Sequence, residues 1–178
     1  MTTYIALVRG LGGKYIVPMK ELVRLLERMG LRDVRTYIQS GNAVFRSRKV
    51  KVPALAEQIK AAIHRKYGFG PEIIILRPGE LSKAMADNPF PEAEPVPTSL
   101  HLSFLSTVAK NPDLAALERL RKPNERFALK GKVFYFQAPE GVGKSKAFAR
   151  VEKSLGVPCT ARNWRSVCNI RGLAEQLA

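Results

Sequence analysis

Residues 34–47 read VRTYIQSGNAVFRS. Two β-like runs, 34–39 and 43–47, flank a tight turn at Ser40-Gly41-Asn42, the pattern of a β-hairpin. Working outward on the N-terminal side, TYIALVR at 3–9 is a strand. A helix then opens at Pro18, turns Met19, Leu22, Val23, Leu26 and Met29 inward, and closes at Gly30. On the C-terminal side, a helix from Pro53 to Gly68 presents Leu55, Ile59 and Ile63, and EIIILR at 72–77 is a last strand. The hairpin thus sits at the centre of a β-α-β-β-α-β order, the ferredoxin-like split unit.

The second half repeats that order. LHLSFLS at 100–106 is a strand, and a helix from Asn111 or Pro112 carries Leu114, Leu117 and Leu120. RFALK and KVFYFQ form a hairpin around Gly131, and a helix after Ser145 presents Phe148, Val151 and Leu155. A short strand near PCTA precedes a helix from Trp164 with Val167, Ile170, Ala174 and Leu177 inward. The repeat is one of pattern, not of residue identity. The expected fold is α+β, a tandem pair of ferredoxin-like units packed together. Residues 1–78 make the first unit, 79–99 a short helix and a proline-rich acidic linker, and 100–178 the second unit with its C-terminal helix. Alternation puts Arg35, Tyr37, Gln39 and Val44 on one face of the first hairpin, and Thr36, Ile38, Ala43 and Phe45 on the other. If helices cover the second set, Tyr37 and Tyr4 lie on the open face, where RNA-recognition domains of this topology stack bases. The preferred alternative is that the open faces of the two halves pack on each other.

Charge is the loudest global feature. Thirty Lys and Arg against fifteen Asp and Glu give +15 over 178 residues. Residues 1–70 carry +10, 71–100 carry −3 and 101–178 carry +8. Such a surplus favours polyanionic or phosphorylated partners. No run approaches the roughly 18 apolar residues of a membrane span, and the first residues read as a strand rather than a leader. Two cysteines, Cys159 and Cys168, suit a reduced, cytoplasmic protein. No metal-ligand spacing is present, so neither metal nor cofactor is expected.

Three loops carry candidate chemistry. APEGVGKS at 138–145 lies between a strand and a helix and ends in Gly143-Lys144-Ser145. A phosphate-binding loop of nucleotide hydrolases needs a glycine five positions before the Gly of GK. That position is Ala138; Pro139 lacks an N–H, Glu140 adds a negative charge, and no strand supplies an Asp for magnesium. What remains is Lys144, Ser145 and Lys146 at a helix start, which either cap the helix or bind an anion. The second loop, VRGLGGKYIVPM, holds Arg9, Gly10, Gly12, Gly13 and Lys14. The third, TARNWRSV, has Asn163 as a helix cap, with Arg162, Arg165 and Trp164 around it. Trp164 stacks a base or anchors the core; the core role is preferred. No nucleophile elbow or acid–base pair is legible.

Four stretches, TYIALVRGLGGKYIVPMKEL, VRTYIQSGNAVF, PEGVGKSKAF and TARNWRSV, together resemble the bacterial family catalogued as domain of unknown function 1697. The motif positions fall on Arg9, Gly10, Gly12, Gly13, Pro18, Met19, Tyr37, Gln39, Ser40, Gly41, Asn42, Gly141, Ser145, Lys146, Arg162, Asn163 and Trp164. The resemblance implies a small bacterial protein without an assigned activity and brings no catalytic residues. The first loop, RGLGG, is two residues shorter than the family's RGINVGG. The anion-binding candidates are Arg9, Gly12, Gly13, Lys14, Gly143, Lys144, Ser145, Lys146 and Arg162; Tyr37, Gln39, Ser40, Asn42, Asn163 and Trp164 complete the motif set. The leading expectation is a basic cytoplasmic protein that binds a phosphate-bearing partner, nucleic acid first among them. The alternatives are an enzyme acting on a small phosphorylated or nucleotide substrate, and a structural or interaction module.

Overall fold

The structure is a computed structural model and describes residues 1–48 and 51–178. It is mixed α+β, with two four-stranded antiparallel sheets and, among the described residues, seven α-helices. By internal contacts the chain divides into two units, Met1–Lys83 with Cys168–Ala178, and Ala84–Val167. The division therefore falls after Lys83 rather than near residue 78, and the last eleven residues group with the first unit.

In the first unit, β1 (Thr2–Val8), α1 (Met19–Arg28), β2 (Arg32–Tyr37), β3 (Asn42–Ser47), α2 (Val52–Tyr67) and β4 (Ile73–Leu76) follow in sequence. The sheet order is β2-β3-β1-β4. Pro18 precedes α1, and Gly68 ends α2 at φ 78°, its N–H donating to His64 O at 2.8 Å. The register sets Tyr4 opposite Phe45 and Ala6 opposite Ala43. These side chains join Leu22, Leu26, Ile59 and Ile63 in one buried core, where each large apolar side chain contributes about 1.5–3 kcal/mol. Tyr4 is thus not on an open face: it is 1% exposed, its ring 6.2 Å from that of Phe45. Alternation along β1 forces this, because Tyr4 must share its face with Ala6 and Val8. The opposite face, with Ile5, Leu7 and Val44, is buried too. On that face Thr3 Oγ1 donates to Leu177 O at 2.9 Å, and Arg35 reaches the Gln176 side chain.

The hairpin departs from the expected alternation at Ile38. Strand β2 stops at Tyr37, and Ile38 is 52% exposed with φ 48°. The turn therefore begins earlier than Ser40. Asn42 closes it, its Nδ2 donating to Tyr37 O at 3.0 Å and to Ser40 Oγ at 2.9 Å.

In the second unit, β5 (Leu100–Leu105), α4 (Leu114–Leu120), β6 (Arg126–Lys130), β7 (Val133–Gln137), α5 (Lys146–Ala149), α6 (Val151–Leu155) and β8 (Cys159–Asn163) give sheet order β6-β7-β5-β8. Leu105, Phe134, Phe136 and Cys159 pack with Leu117, Ala147, Val151 and Leu155. The single helix expected after Ser145 is broken in two: the N–H of Arg150 bonds to Ala147 O, a tighter i→i+3 link that interrupts the α-helical ladder. Helix α3 (Pro78–Ala86) matches the expected short helix, and α7 (Trp164–Glu175) the last one.

The stretch expected as a linker is not one. Phe90, Ala93 and Ser99 are buried, a 3-10 turn spans Pro91–Ala93, and Ala138 N donates to Ser99 O at 2.7 Å. Arg126 pairs with Glu92 and covers the Phe90 ring at 4.6 Å, and Lys130 donates to Asp87 O. Prolines stiffen this segment, and turn bonds such as Ala93 N to Phe90 O and Ser99 N to Val96 O hold its backbone in place.

Gly41 holds the first hairpin against β1. Its φ is 78°, Val8 N donates to its carbonyl at 2.8 Å, and a Cβ there would sit 2.8 Å from Val8 Cβ and 2.9 Å from Leu11 Cδ1. Gly41→Ala therefore combines a left-handed backbone penalty with overpacking, and should destabilise the protein by about 3 kcal/mol. Chemical denaturation of the two proteins measures it.

Candidate functional site

The first glycine-rich loop is a tight two-residue turn. Gly12 and Tyr15 exchange backbone hydrogen bonds, Gly12 N to Tyr15 O at 2.9 Å and Tyr15 N to Gly12 O at 3.0 Å. Gly13, at φ 55°, occupies the first central position, where a side chain would be strained. The turn places Lys14 at its tip, with the ammonium 4.9 Å from the centre of the Tyr15 ring. Tyr15 is 41% exposed and its ring lies 4.9 Å from that of Phe69, which stands between Gly68 and Gly70 after α2.

A cleft of about 330 Å³ opens here, lined by Arg9, Gly10, Tyr15, Phe69, Pro71 and Glu72 among others. Arg9 N donates to Glu72 O at 2.9 Å, fixing the end of β1 beside β4. The Glu72 carboxylate is offset by Lys60 Nζ at 2.6 Å. The hairpin turn meets the same loop through Gly41 against Leu11 and through Gln39 Nε2, which donates to Val17 O at 2.7 Å. Two sequence motifs of the first unit, 9–14 and 39–42, therefore come together. Their roles differ: Gln39, Ser40, Gly41 and Asn42 shape the turn, whereas Lys14 projects into solvent.

In the second unit the GKS loop is built from two successive turns, with Gly141 N bonded to Ala138 O at 2.9 Å and Ser145 N to Val142 O at 3.1 Å. Ser145 is 4% exposed, and its Oγ accepts from Phe148 N at 3.0 Å, capping α5. The N–H groups of Gly141, Ser145 and Phe148 are thus committed within the loop. Helix α5 spans four residues, too short for a substantial dipole. Lys144, Lys146 and Gly143 are exposed, and Glu140 is paired with Lys122 at 2.6 Å, which holds its carboxyl below the usual range.

Asn163 caps α7, its Oδ1 accepting from Ser166 N at 2.9 Å. Trp164 is buried, and its backbone N–H donates to Pro97 O at 3.1 Å. Arg162 is 8% exposed, with Nη1 on Thr160 Oγ1 at 2.7 Å and Ala161 O at 2.8 Å. Burial lowers it to about 10, so it remains charged at neutral pH. It serves the sheet rather than presenting a cation to solvent. Tyr37 is half-buried at the end of β2.

Sequence reasoning did not single out Tyr15, Phe69 or His101. An aromatic residue directly after the lysine of a glycine turn, and another between two glycines, were the available signals for the first two. His101 pairs with Asn163 across β5 and β8, packs edge-on to Phe148 at 5.3 Å, and is lowered by burial to about 4. Its Nδ1 is buried without a hydrogen-bond partner.

The fold and loop motifs described above are those of a family. The chain belongs to the family described as protein of unknown function (DUF1697), whose model matches residues 1–135. That match takes in the first glycine loop and the hairpin and stops before the GKS loop. Among solved structures the chain is similar to that of the conserved bacterial protein SP0830 from Streptococcus pneumoniae, at 25% identity. The likeness covers 97% of this chain and 98% of that one, with a TM-score of 0.72. No curated protein matches. Among the described residues, no helix is long and apolar enough to cross a membrane.

Ser145→Ala should lower stability by about 1 kcal/mol through loss of the cap, measured by urea denaturation. His101 contributes to acid sensitivity. The unfolded chain takes up a proton near pH 6.5 and the folded protein only near pH 4. The unfolded state therefore binds more protons between these values, and stability falls as pH drops through that window, by up to about 3 kcal/mol. Thermal melts from pH 7 to 4 should show the fall, and His101→Phe should flatten it.

Proposed function

We propose that this protein is a cytoplasmic, nucleic-acid-binding pair of ferredoxin-like units, whose contact with phosphate-bearing partners centres on the first glycine loop. The strand orders β2-β3-β1-β4 and β6-β7-β5-β8, each reached through strand, helix, two strands and further helix, support the ferredoxin-like reading. The observation that supports the binding reading is the exposed Lys14 over the ring of Tyr15, which lines a cleft with Phe69 and Arg9. The surrounding unit has seventeen Lys and Arg against seven Asp and Glu, most of the chain's excess. Lys144 and Lys146 supply further exposed cations in the second unit. Cation contacts to phosphates release counterions, so affinity should fall steeply with salt.

A second reading, an enzyme acting on a small phosphorylated or nucleotide substrate, draws on the cleft's volume of about 330 Å³, the lower end of small-molecule sites. A ligand at 100 times its dissociation constant adds about 2.7 kcal/mol of stability, and a nucleotide and metabolite thermal-shift screen detects it.

The primary test is fluorescence-anisotropy titration of labelled DNA and RNA, single- and double-stranded, from low to high salt. Binding that weakens log-linearly with salt is expected. No binding to any of the four at low salt sinks the nucleic-acid reading.

A further inference from the structure

Nucleic acid can be held by charge alone, as a duplex backbone, or by charge together with stacking on unpaired bases. The distribution of aromatic side chains separates these. The eight Phe, five Tyr and one Trp are almost all withdrawn from solvent. Neither face of the first sheet offers a platform: Tyr4 and Phe45 lie in one core, and Ile5, Leu7 and Val44 are buried opposite. In the second sheet Phe134, Phe136 and Tyr135 are 0–1% exposed. Among the described Phe, Tyr and Trp residues, the one that is exposed is Tyr15, at 41%.

That ring is also a built feature. A glycine at positive φ and two backbone hydrogen bonds set the turn that presents it. Phe69 supports it at 4.9 Å, and Lys14 stands over it at 4.9 Å. Lys14 is exposed on a flexible stem, so a base can replace its ammonium on the ring while the ammonium moves to the adjoining phosphate. Glu72, whose carboxylate belongs to a residue lining the same cleft, is already offset by Lys60. Exposed Ile16 follows directly in the chain. Ile38, a β-branched residue held at φ 48° and exposed, lies next to Gln39, whose side chain bonds to Val17. Duplex DNA has no unstacked base to offer this ring.

Resting on the nucleic-acid reading above, we propose that the site is specific for single strands: an unpaired base stacks on Tyr15, backed by Phe69, while Lys14 holds a flanking phosphate. Base identity is read weakly, because every base has a π-face.

The test compares wild type with Tyr15→Phe, Tyr15→Leu, Tyr15→Ala and Lys14→Ala. Each binds a labelled 12-nucleotide single strand of RNA or DNA, and a duplex of the same length, across a salt series. Tyr15→Leu keeps an apolar side chain at a surface position, so loss of folding does not confuse the result. The expected result is that Tyr15→Leu and Tyr15→Ala weaken single-strand binding about tenfold, roughly 1.4 kcal/mol, with an unchanged salt slope. Tyr15→Phe retains affinity, and duplex binding changes less than twofold. Lys14→Ala should instead make the single-strand slope shallower by about 0.7. Salt-dependent binding that Tyr15→Leu leaves unaltered, or weakens equally for both forms, overturns the single-strand proposal and leaves the nucleic-acid reading standing. Absence of salt-dependent binding by wild type to either form overturns both.

Discussion

The close approach of the Gly41 backbone to Val8 and Leu11 is the constraint on which the first unit depends. A hairpin turn and the end of the central strand occupy neighbouring space there, 2.8 Å from where a Cβ would be. Val8 N on Gly41 O makes the approach a hydrogen bond rather than a bare contact. From it follow the β1–β3 register, the pairing of Tyr4 with Phe45, and the sealing of the core beneath α1 and α2. The glycine loop after β1 begins at the point where that register ends, so the position of Lys14 and Tyr15 descends from the same contact.

The polar residues of the motifs divide into two kinds. Asn42, Gln39, Ser145, Asn163 and Arg162 spend their hydrogen bonds on the chain itself, closing turns, capping helices and bracing β8. Such roles need particular donors and acceptors at particular spacings, which is why they stand out in a sequence as if they were catalytic. Lys14 and Tyr15 spend their side chains outward. A lysine on a ring and a ring on a second ring form a surface suited to a charged, flat partner.

Much of the candidate site was visible as loops and little of it as geometry. Arg9, Gly12, Gly13 and Lys14 stood out because glycines beside cations suggest close backbone approach to an anion. Phe69 did not, since it lies over fifty residues away and reaches Tyr15 only because β4 runs antiparallel to β1 and returns α2 to the loop. Arg162 looked like an exposed cation by its neighbours in the chain, yet alternation along β8 turns it inward beside Thr160. The GKS loop was readable in the opposite sense: the alanine at the position of the missing glycine agrees with a loop whose N–H groups bond to its own carbonyls.

Sequence by itself determined the order of strands and helices, the glycine turns, the caps at Ser145 and Asn163, and a basic balance of +15. These rest on interactions within a few residues, or on composition, and need no distant partner. Tertiary structure alone decided which face of β1 is interior, that the proline-rich segment folds onto the second unit, that Cys168–Ala178 groups with the first unit, and that Tyr15 keeps its ring in water. Each of those depends on which remote surface arrives to cover a residue. Burial is a property of the neighbours a chain brings back to itself, and local periodicity does not carry it.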